Sequence, residues 1–296
     1  MESTEKLDQT IDLDKTISFK IGDLKDLNLG YKYQIQFLGT GAAFYTDIEA
    51  LKAGRTSNWQ SNLVLTATHP TLGTRRMLWD AGGDVRFSLG EQGLTAWDIN
   101  DVYISHPHAD HVGGMEYIGF MTHFAGKPKP NLIIDRSLAY ELWSKSLSGG
   151  MDSKQGEAAD LDTYFNLQRV GKKGQFSWCG LNMKLIQVVH IMSDNRIMPS
   201  FGLEFKANGK NVFWTSDTQF NPEQIVDFYN AADLILHDCE TTPFKSRVHA
   251  HYDQLKTLPA ETKAKMWLYH YQFGPKADAV ADGFKGWAQK GQVIEL

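Results

Sequence analysis

Two mixed β-sheets packed together, with helices covering them outside, is the α/β architecture this sequence predicts. Short strand-like runs are mixed with helical stretches in both halves of the chain. At 296 residues, 42% hydrophobic and 22% charged, the chain can bury a sizeable core and is unlike a disordered or fibrous protein. Several of the runs stop abruptly at glycine, histidine or aspartate, as strands do when they hand over to loops.

Residues 1–32 read as an N-terminal extension and 33–296 as one domain. The first thirty residues hold seven acids against four lysines and show no strong apolar period, apart from an edge-strand signal at Ile17 to Phe19. Tyr33 to Leu38 alternates as a strand does, and Gly39-Thr-Gly41 then predicts a turn. Strands are expected at Leu63 to Thr68 and Arg76 to Trp79, then a helix at Val85 to Leu89 and a strand at Asp101 to Ser105. Helices follow at Met115 to Phe124 and Ser137 to Leu147, with a strand at Leu132 to Ile134 between them. The polar stretch Ser148 to Asp160 reads as a surface loop. Strands resume at Leu185 to Val189, Ser200 to Phe205 and Asn211 to Thr215. Asn221-Pro222-Glu223 then opens a helix with a capping side chain, a proline at the first position and an acid in the first turn. Strand Leu234 to Leu236, a helix near Asp253 to Leu258 and strand Met266 to Tyr269 complete the pattern.

A net charge of −5 gives no general basic field for nucleic acid, so a polyanionic partner needs a local site. Two cysteines, Cys179 and Cys239, are too few for a disulfide framework and point to a reducing, cytoplasmic setting. The polar, acidic start from Met1 to Thr10 predicts no secretory signal, and no apolar run is long enough to predict a membrane span.

The chemistry concentrates in Ser105-His106-Pro107-His108-Ala109-Asp110-His111, where a strand ends and Val112-Gly113-Gly114 turns the chain toward a helix. Histidines two apart on extended chain face one side, so His106 and His108 can share a metal ion. Asp110 and His111, past the bend, can face a second. Further ligands of this kind are collected from strand ends. His190, Asp217 and His270 each follow a buried apolar run.

In that order these residues resemble the metallo-β-lactamase superfamily in its two-metal form, over about Tyr33 to Gln272. Phe37-Leu-Gly-Thr-Gly41, Asp80-Ala-Gly82, and Ala232-Asp-Leu-Ile-Leu-His237-Asp238 followed by Val248-His249 resemble the branch of ribonuclease Z and its cyclic-nucleotide phosphodiesterase relatives. Asp238 stands where that branch usually has glutamate, and the chain shows no Gly/Pro-rich arm of the kind that grips transfer RNA.

The resemblance implies an αββα sandwich with the metal site at one end of the sheets. It implies His106, His108 and His190 on one ion, Asp110, His111 and His270 on the other, and Asp217 bridging both. Asp110 could orient or deprotonate the water between them. His249, held by Asp238 or Glu240, would protonate the leaving oxygen. The expected cofactors are two divalent ions per chain, zinc first, with manganese and iron also suited to nitrogen and carboxylate donors. The expected activity is hydrolysis of a small or cyclic nucleotide phosphodiester by a cytoplasmic homodimer without membrane contact. Loops Phe44 to Gln60, Ser148 to Asp160 and Met192 to Pro199 would form pocket walls, with Ser193, Asn195 and Arg196 offered to phosphate and base. Alternatives are RNA 3′-end cleavage of the ribonuclease Z kind, a diiron oxygen-binding protein, whose relatives tend to carry glutamate at the place of His108, and a thioesterase or lactonase, which usually lacks the His237-Asp238 and His249 pair.

Overall fold

Alternation from Lys32 to Phe37 buries Tyr33, Ile35 and Phe37 on one side of extended chain, which makes this run a strand. It is β1 in the computed structural model, which describes residues 30–43, 48–54, 58–172, 174–194, 196–273 and 276–296. The expected edge strand at Ile17 to Phe19 lies outside the described residues. The N-terminal half adds β2 (Leu63–His69), β3 (Gly73–Trp79), β4 (Asp101–Ile104), β5 (Asn131–Asp135), a small hairpin of β6 (Ser153–Lys154) and β7 (Glu157–Ala158), and β8 (Asn166–Val170). The C-terminal half supplies β9 (Gln175–Trp178), β10 (Leu181–Ser193), β11 (Arg196–Ala207), β12 (Lys210–Trp214), β13 (Leu234–Asp238), β14 (Met266–Tyr269), β15 (Gly286–Trp287) and β16 (Val293–Glu295).

Two sheets result, ordered β16-β1-β2-β3-β4-β5-β8 and β15-β14-β13-β12-β11-β10-β9. Each is antiparallel in one part and parallel in the other. In the first, β3, β4, β5 and β8 are parallel; in the second, β12 to β15 are. Parallel strands end on the same edge, so the loops after β3, β4, β12, β13 and β14 can meet at one end of the molecule. Between the sheets Trp79 stacks on Trp214 with centroids 5.1 Å apart, and Tyr103 meets Trp214 edge-on at 6.1 Å. Tyr103 also donates a 2.9 Å hydrogen bond to the Phe201 carbonyl, tying β4 to β11 across the core. A second cluster, including Phe213, Ile225, Tyr229 and Leu255, packs the helices Pro222–Ala231 and Tyr252–Leu255 on the other face of the second sheet. The two mixed sheets covered by helices are as expected.

The expected helix to Leu147 and loop from Ser148 need correction, because helical chain runs from Ala139 through Met151 with a π-turn at Leu142–Leu147. The apolar spacing explains this: Leu138, Leu142, Leu147 and Met151 are all buried, and the five-residue step from Leu142 to Leu147 stays on one face only if the helix widens by one residue there. The rest of that stretch forms the β6–β7 hairpin. Met192 to Pro199 is not a free loop either, for β10 and β11 pair out to Ser193 and Arg196. Asn221 makes no side-chain cap to its helix, and its amide nitrogen reaches only the Gln224 side chain, at 3.5 Å. Gly39-Thr-Gly41 is a close approach rather than a turn, since a Cβ on Gly39 would lie 2.2 Å from the Gln60 carbonyl oxygen.

Gly202 of β11 serves the site in the same way. A Cβ there would stand 2.3 Å from the Trp214 oxygen and 2.8 Å from that of Thr215, where β12 passes into the loop carrying Asp217. Gly202→Ala should therefore push that loop outward and destabilise the fold by about 1–3 kcal/mol. Urea unfolding measures this, and an unchanged midpoint would contradict the packing argument.

Candidate metal centre

β4 is buried along its length, and the chain leaves the sheet at Ser105. Asp80 fixes that exit: the Ser105 amide donates to Oδ1 at 2.8 Å and the hydroxyl to Oδ2 at 2.7 Å. With its own proton given to Asp80, Ser105 Oγ accepts from His106 Nδ1 at 3.0 Å. His106 Nε2 is thereby left with its lone pair and lies 3.0 Å from His108 Nδ1. His190 Nε2 is 3.2 Å from the same His108 nitrogen. His190 reaches in because it is the extra residue of a β-bulge: Val189 pairs with Pro199 and Ile191 with Met198, leaving His190 between them. Its Nδ1 donates to the Val248 carbonyl at 2.7 Å, which frees Nε2. These three nitrogens could hold one metal ion.

A second group forms beside them. His111, on the short helix Ala109–Val112, gives Nδ1 to Asp80 Oδ2 at 2.7 Å. Its Nε2 lies 3.1 Å from Asp110 Oδ2 and 3.1 Å from Asp217 Oδ2. His270 Nε2 is 3.3 Å from Asp110 Oδ2 and 3.5 Å from Asp217 Oδ2. Asp110, His111, Asp217 and His270 could hold another ion. Asp217 Oδ2 also faces the first group, 3.8 Å from both His106 Nε2 and His190 Nε2. One carboxylate oxygen is thus common to the two groups.

Strained backbone turns these side chains inward. Asp80 after β3, Ser216 before Asp217, Arg247 two residues before His249, and His270 after β14 all have φ between 54° and 69°. Residues with a Cβ rarely adopt that left-handed region, and such strain gathers at functional sites. Asp238, at the end of fully buried β13, accepts the Thr218 amide at 2.9 Å and His249 Nδ1 at 2.8 Å on one oxygen. Its other oxygen faces His270 Nδ1 at 3.5 Å. His249 Nε2 takes no hydrogen bond among the described residues, and the His249 ring lies against those of His190 and His270.

Without metal, the two groups titrate in opposite directions. Burial drives His106 well below the ordinary histidine range, lowers His108, and takes His190 down to about 4. Burial also opposes the proton on His111, but Asp217, Asp110 and Asp80 overcome it and raise that group well above its usual value. His270 is raised in the same way by Asp217 and its bond to Asp110, and His249 to about 9, chiefly by Asp238. Asp110 and Asp217 fall well below the carboxylate range despite burial, because His111 faces both. The three-histidine group is ready to ligate at neutral pH, whereas an ion at the carboxylate group must displace protons from His111 and His270. Buried Asp217 Oδ1, Asp238 Oδ1 and His270 Nδ1 lack hydrogen-bond partners, and the nitrogen and oxygen donors around them suit a divalent ion.

All seven expected ligands therefore converge, and Asp238 and His249 stand beside them. Other histidines are engaged elsewhere. His237 is packed against Tyr229, whose hydroxyl is 2.6 Å from Nε2, and His251 caps the helix Tyr252–Leu255 by accepting the Asp253 amide. Glu240 binds the Ser246 amide rather than His249. Cys179 and Cys239 are free thiols raised by burial, which leaves them unreactive. Of the expected pocket residues, Ser193 and Arg196 line a cavity beside the site, and Asn195 lies outside the described residues. Sequence reasoning left Asp80 without a role. Its signal was an aspartate closing a strand just before Gly82-Gly83.

The sandwich and its strand-end site have the metallo-β-lactamase fold. The solved structure of the metallo-beta-lactamase fold protein YhfI from Bacillus subtilis superposes with a TM-score of 0.65 at 14% identity, covering 89% of this chain and 99% of that one. A diphosphatase of the PhnP family gives 0.66 at 15% identity, covering 89% and 98%. Residues 33–294 match the family model of the anti-Pycsar protein Apyc1, and the chain belongs to that family. Its relative of that name from Paenibacillus harenae is 32% identical over 197 residues, which cover 66% of this chain and 78% of the relative. Another from Paenibacillus sp. (strain J14) is 28% identical over 267 residues, covering 89% and 99%.

Asp80 supports both histidine groups, through Ser105 to His106 and directly to His111. Asp80→Asn should lower zinc affinity about 10- to 100-fold without loss of secondary structure. Competition with a chromophoric chelator reads the affinity, and an unchanged value would show that Asp80 does not tune the ligands.

Proposed function

We propose that this protein is a metal-dependent phosphodiesterase that hydrolyses a small or cyclic nucleotide in the cytoplasm as a homodimer. The observation that carries the reading is the sharing of Asp217 Oδ2 by two ligand groups, with His249 beside both. His106, His108 and His190 would hold one ion, Asp110, His111 and His270 the other, and Asp217 would join them. Two divalent ions there, zinc or else manganese or iron, would supply Lewis-acid polarisation of the phosphodiester and a water acidic enough to react near neutral pH. Among the described residues no helix is long and apolar enough to cross a membrane.

The chain's own groups supply the rest. Asp110 Oδ2 lies between His111 and His270 and can orient the attacking water. Asp238 holds His249 by Nδ1, leaving Nε2 to give a proton to the leaving oxygen. Asp238 favours a proton on His249, raising that group to about 9 in the metal-free chain. The negative net charge and the lack of a Gly/Pro-rich arm favour a small diester over precursor transfer RNA.

Asp217→Ala should lower metal content from about two ions per chain and abolish turnover while the fold largely survives. Metal analysis beside an assay on cyclic nucleotides checks this, and two retained ions with full activity would contradict it. His249→Ala should keep both ions yet lose about 10²- to 10⁴-fold in rate. The loss should shrink on an aryl diester whose p-nitrophenolate needs no proton, and equal losses on both substrates would assign His249 a positioning role instead. Efficient precursor-RNA cleavage without cyclic-nucleotide turnover would favour the ribonuclease Z reading.

A further inference from the structure

His237 precedes Asp238 in the chain, yet it joins neither ligand group and is fully buried. Side chains alternate along β13: Leu234 and Leu236 enter the core between the sheets, while Ile235 and Cys239 belong to the apolar layer under the helices. His237 falls on the helix side with them, against Tyr229 of the helix Pro222–Ala231. An imidazole in such a layer needs a partner for each nitrogen.

Both partners lie at 2.6 Å, the Asp238 carbonyl at Nδ1 and the Tyr229 hydroxyl at Nε2. A carbonyl only accepts, so Nδ1 carries the proton. Burial lowers His237 below the ordinary histidine range, which keeps the ring neutral and leaves Nε2 to accept from Tyr229. The hydroxyl thereby fixes which nitrogen is the donor.

The carbonyl that His237 holds lies where the sheet gives out. From the β12 side the Thr215 amide bonds to Leu236, and the Asp238 amide then turns to the Thr215 hydroxyl at 3.1 Å. Left-handed Ser216 takes the chain away toward Asp217. Past that rung the donor to the Asp238 carbonyl is a side chain, His237. Pinning the carbonyl fixes the Asp238 backbone, and with it the direction in which the carboxylate leaves the chain. One oxygen of that carboxylate accepts both the Thr218 amide, next to Asp217, and His249 Nδ1.

We propose that His237 is a positioning residue of the centre: with Tyr229 fixing its tautomer, it pins the end of β13 so that the Asp238 carboxylate meets His249 and the loop of Asp217. Its effect on turnover rests on the phosphodiesterase reading, and its effect on geometry does not.

Two substitutions divide the contacts of the ring. Asparagine places an amide nitrogen where Nδ1 stands and keeps the donor to Asp238, whereas glutamine reaches toward Tyr229 and gives that donor up. His237→Gln should lower kcat on a cyclic nucleotide about tenfold with KM and metal content unchanged. It should lose distinctly less on bis(p-nitrophenyl) phosphate, whose leaving group needs no proton. His237→Asn should keep most of kcat on both substrates. In crystals of the metal-free variants the 2.8 Å contact between His249 Nδ1 and Asp238 should persist with His237→Asn and open beyond hydrogen-bond reach with His237→Gln. Should His237→Gln fail to fold, His237→Leu combined with Tyr229→Phe removes the same donor while leaving no polar group unpaired on the helix side. Equal losses with His237→Asn and His237→Gln, equal losses on both substrates, or an intact contact once the donor is gone would overturn the positioning role. Wild-type protein inactive on every diester would overturn the phosphodiesterase reading alone, since the crystal comparison still decides whether His237 holds Asp238 in place.

Discussion

One buried carboxylate oxygen, Asp217 Oδ2, has five imidazole nitrogens within 4 Å, from His106, His111, His190, His249 and His270. Such a concentration of polar groups in a water-poor interior is costly unless the charges are matched. The metal-free chain matches them with protons held on His111, His249 and His270. Divalent ions would match them differently, using lone pairs that the surrounding hydrogen bonds already orient. The seat of Asp217 depends in turn on the close approach at Gly202, the left-handed Ser216, and the 3.0 Å hydrogen bond from Ser200 to its carbonyl.

Rigidity for that arrangement comes from the sandwich. The aromatic layer of Trp79, Trp214 and Tyr103 joins the sheets, and the ends of β3, β4, β12, β13 and β14 present their loops at one edge. The supporting groups belong to the same strand ends. Asp80 closes β3 and holds Ser105 and His111, while Asp238 closes β13 and holds Thr218 and His249. The bulge at His190 belongs to the centre itself, since it brings that imidazole to His108.

Most of the centre was legible because its residue types are rare together and sit where apolar runs stop. His190, Asp217 and His270 are ordinary residues singly, and only their positions after buried strands connected them to His106 and His108. Irregular features were harder to read. β8 and β9 were missed because Asn166 to Val170 is mostly exposed and Gln175 to Trp178 is short, which leaves little apolar contrast. Ser148-Gly-Gly150 reads as a loop because glycines weaken a helix, yet buried Met151 carries the helical face one turn further. Asp80 carried no metal-ligand spacing and became informative only through its contacts to Ser105 and His111. The bulge at His190 depends on its cross-strand partners, and nothing local in Val188 to Ile191 announces it.

The central claim is that two ions are held in one site through Asp217. Its most direct test is a crystal structure of the zinc-loaded protein with anomalous scattering recorded at the zinc edge. Two peaks about 3.5–4 Å apart are expected, one among His106, His108 and His190, the other among Asp110, His111 and His270, with the Asp217 carboxylate between them. A single peak, or two peaks that share no ligand, would contradict the account.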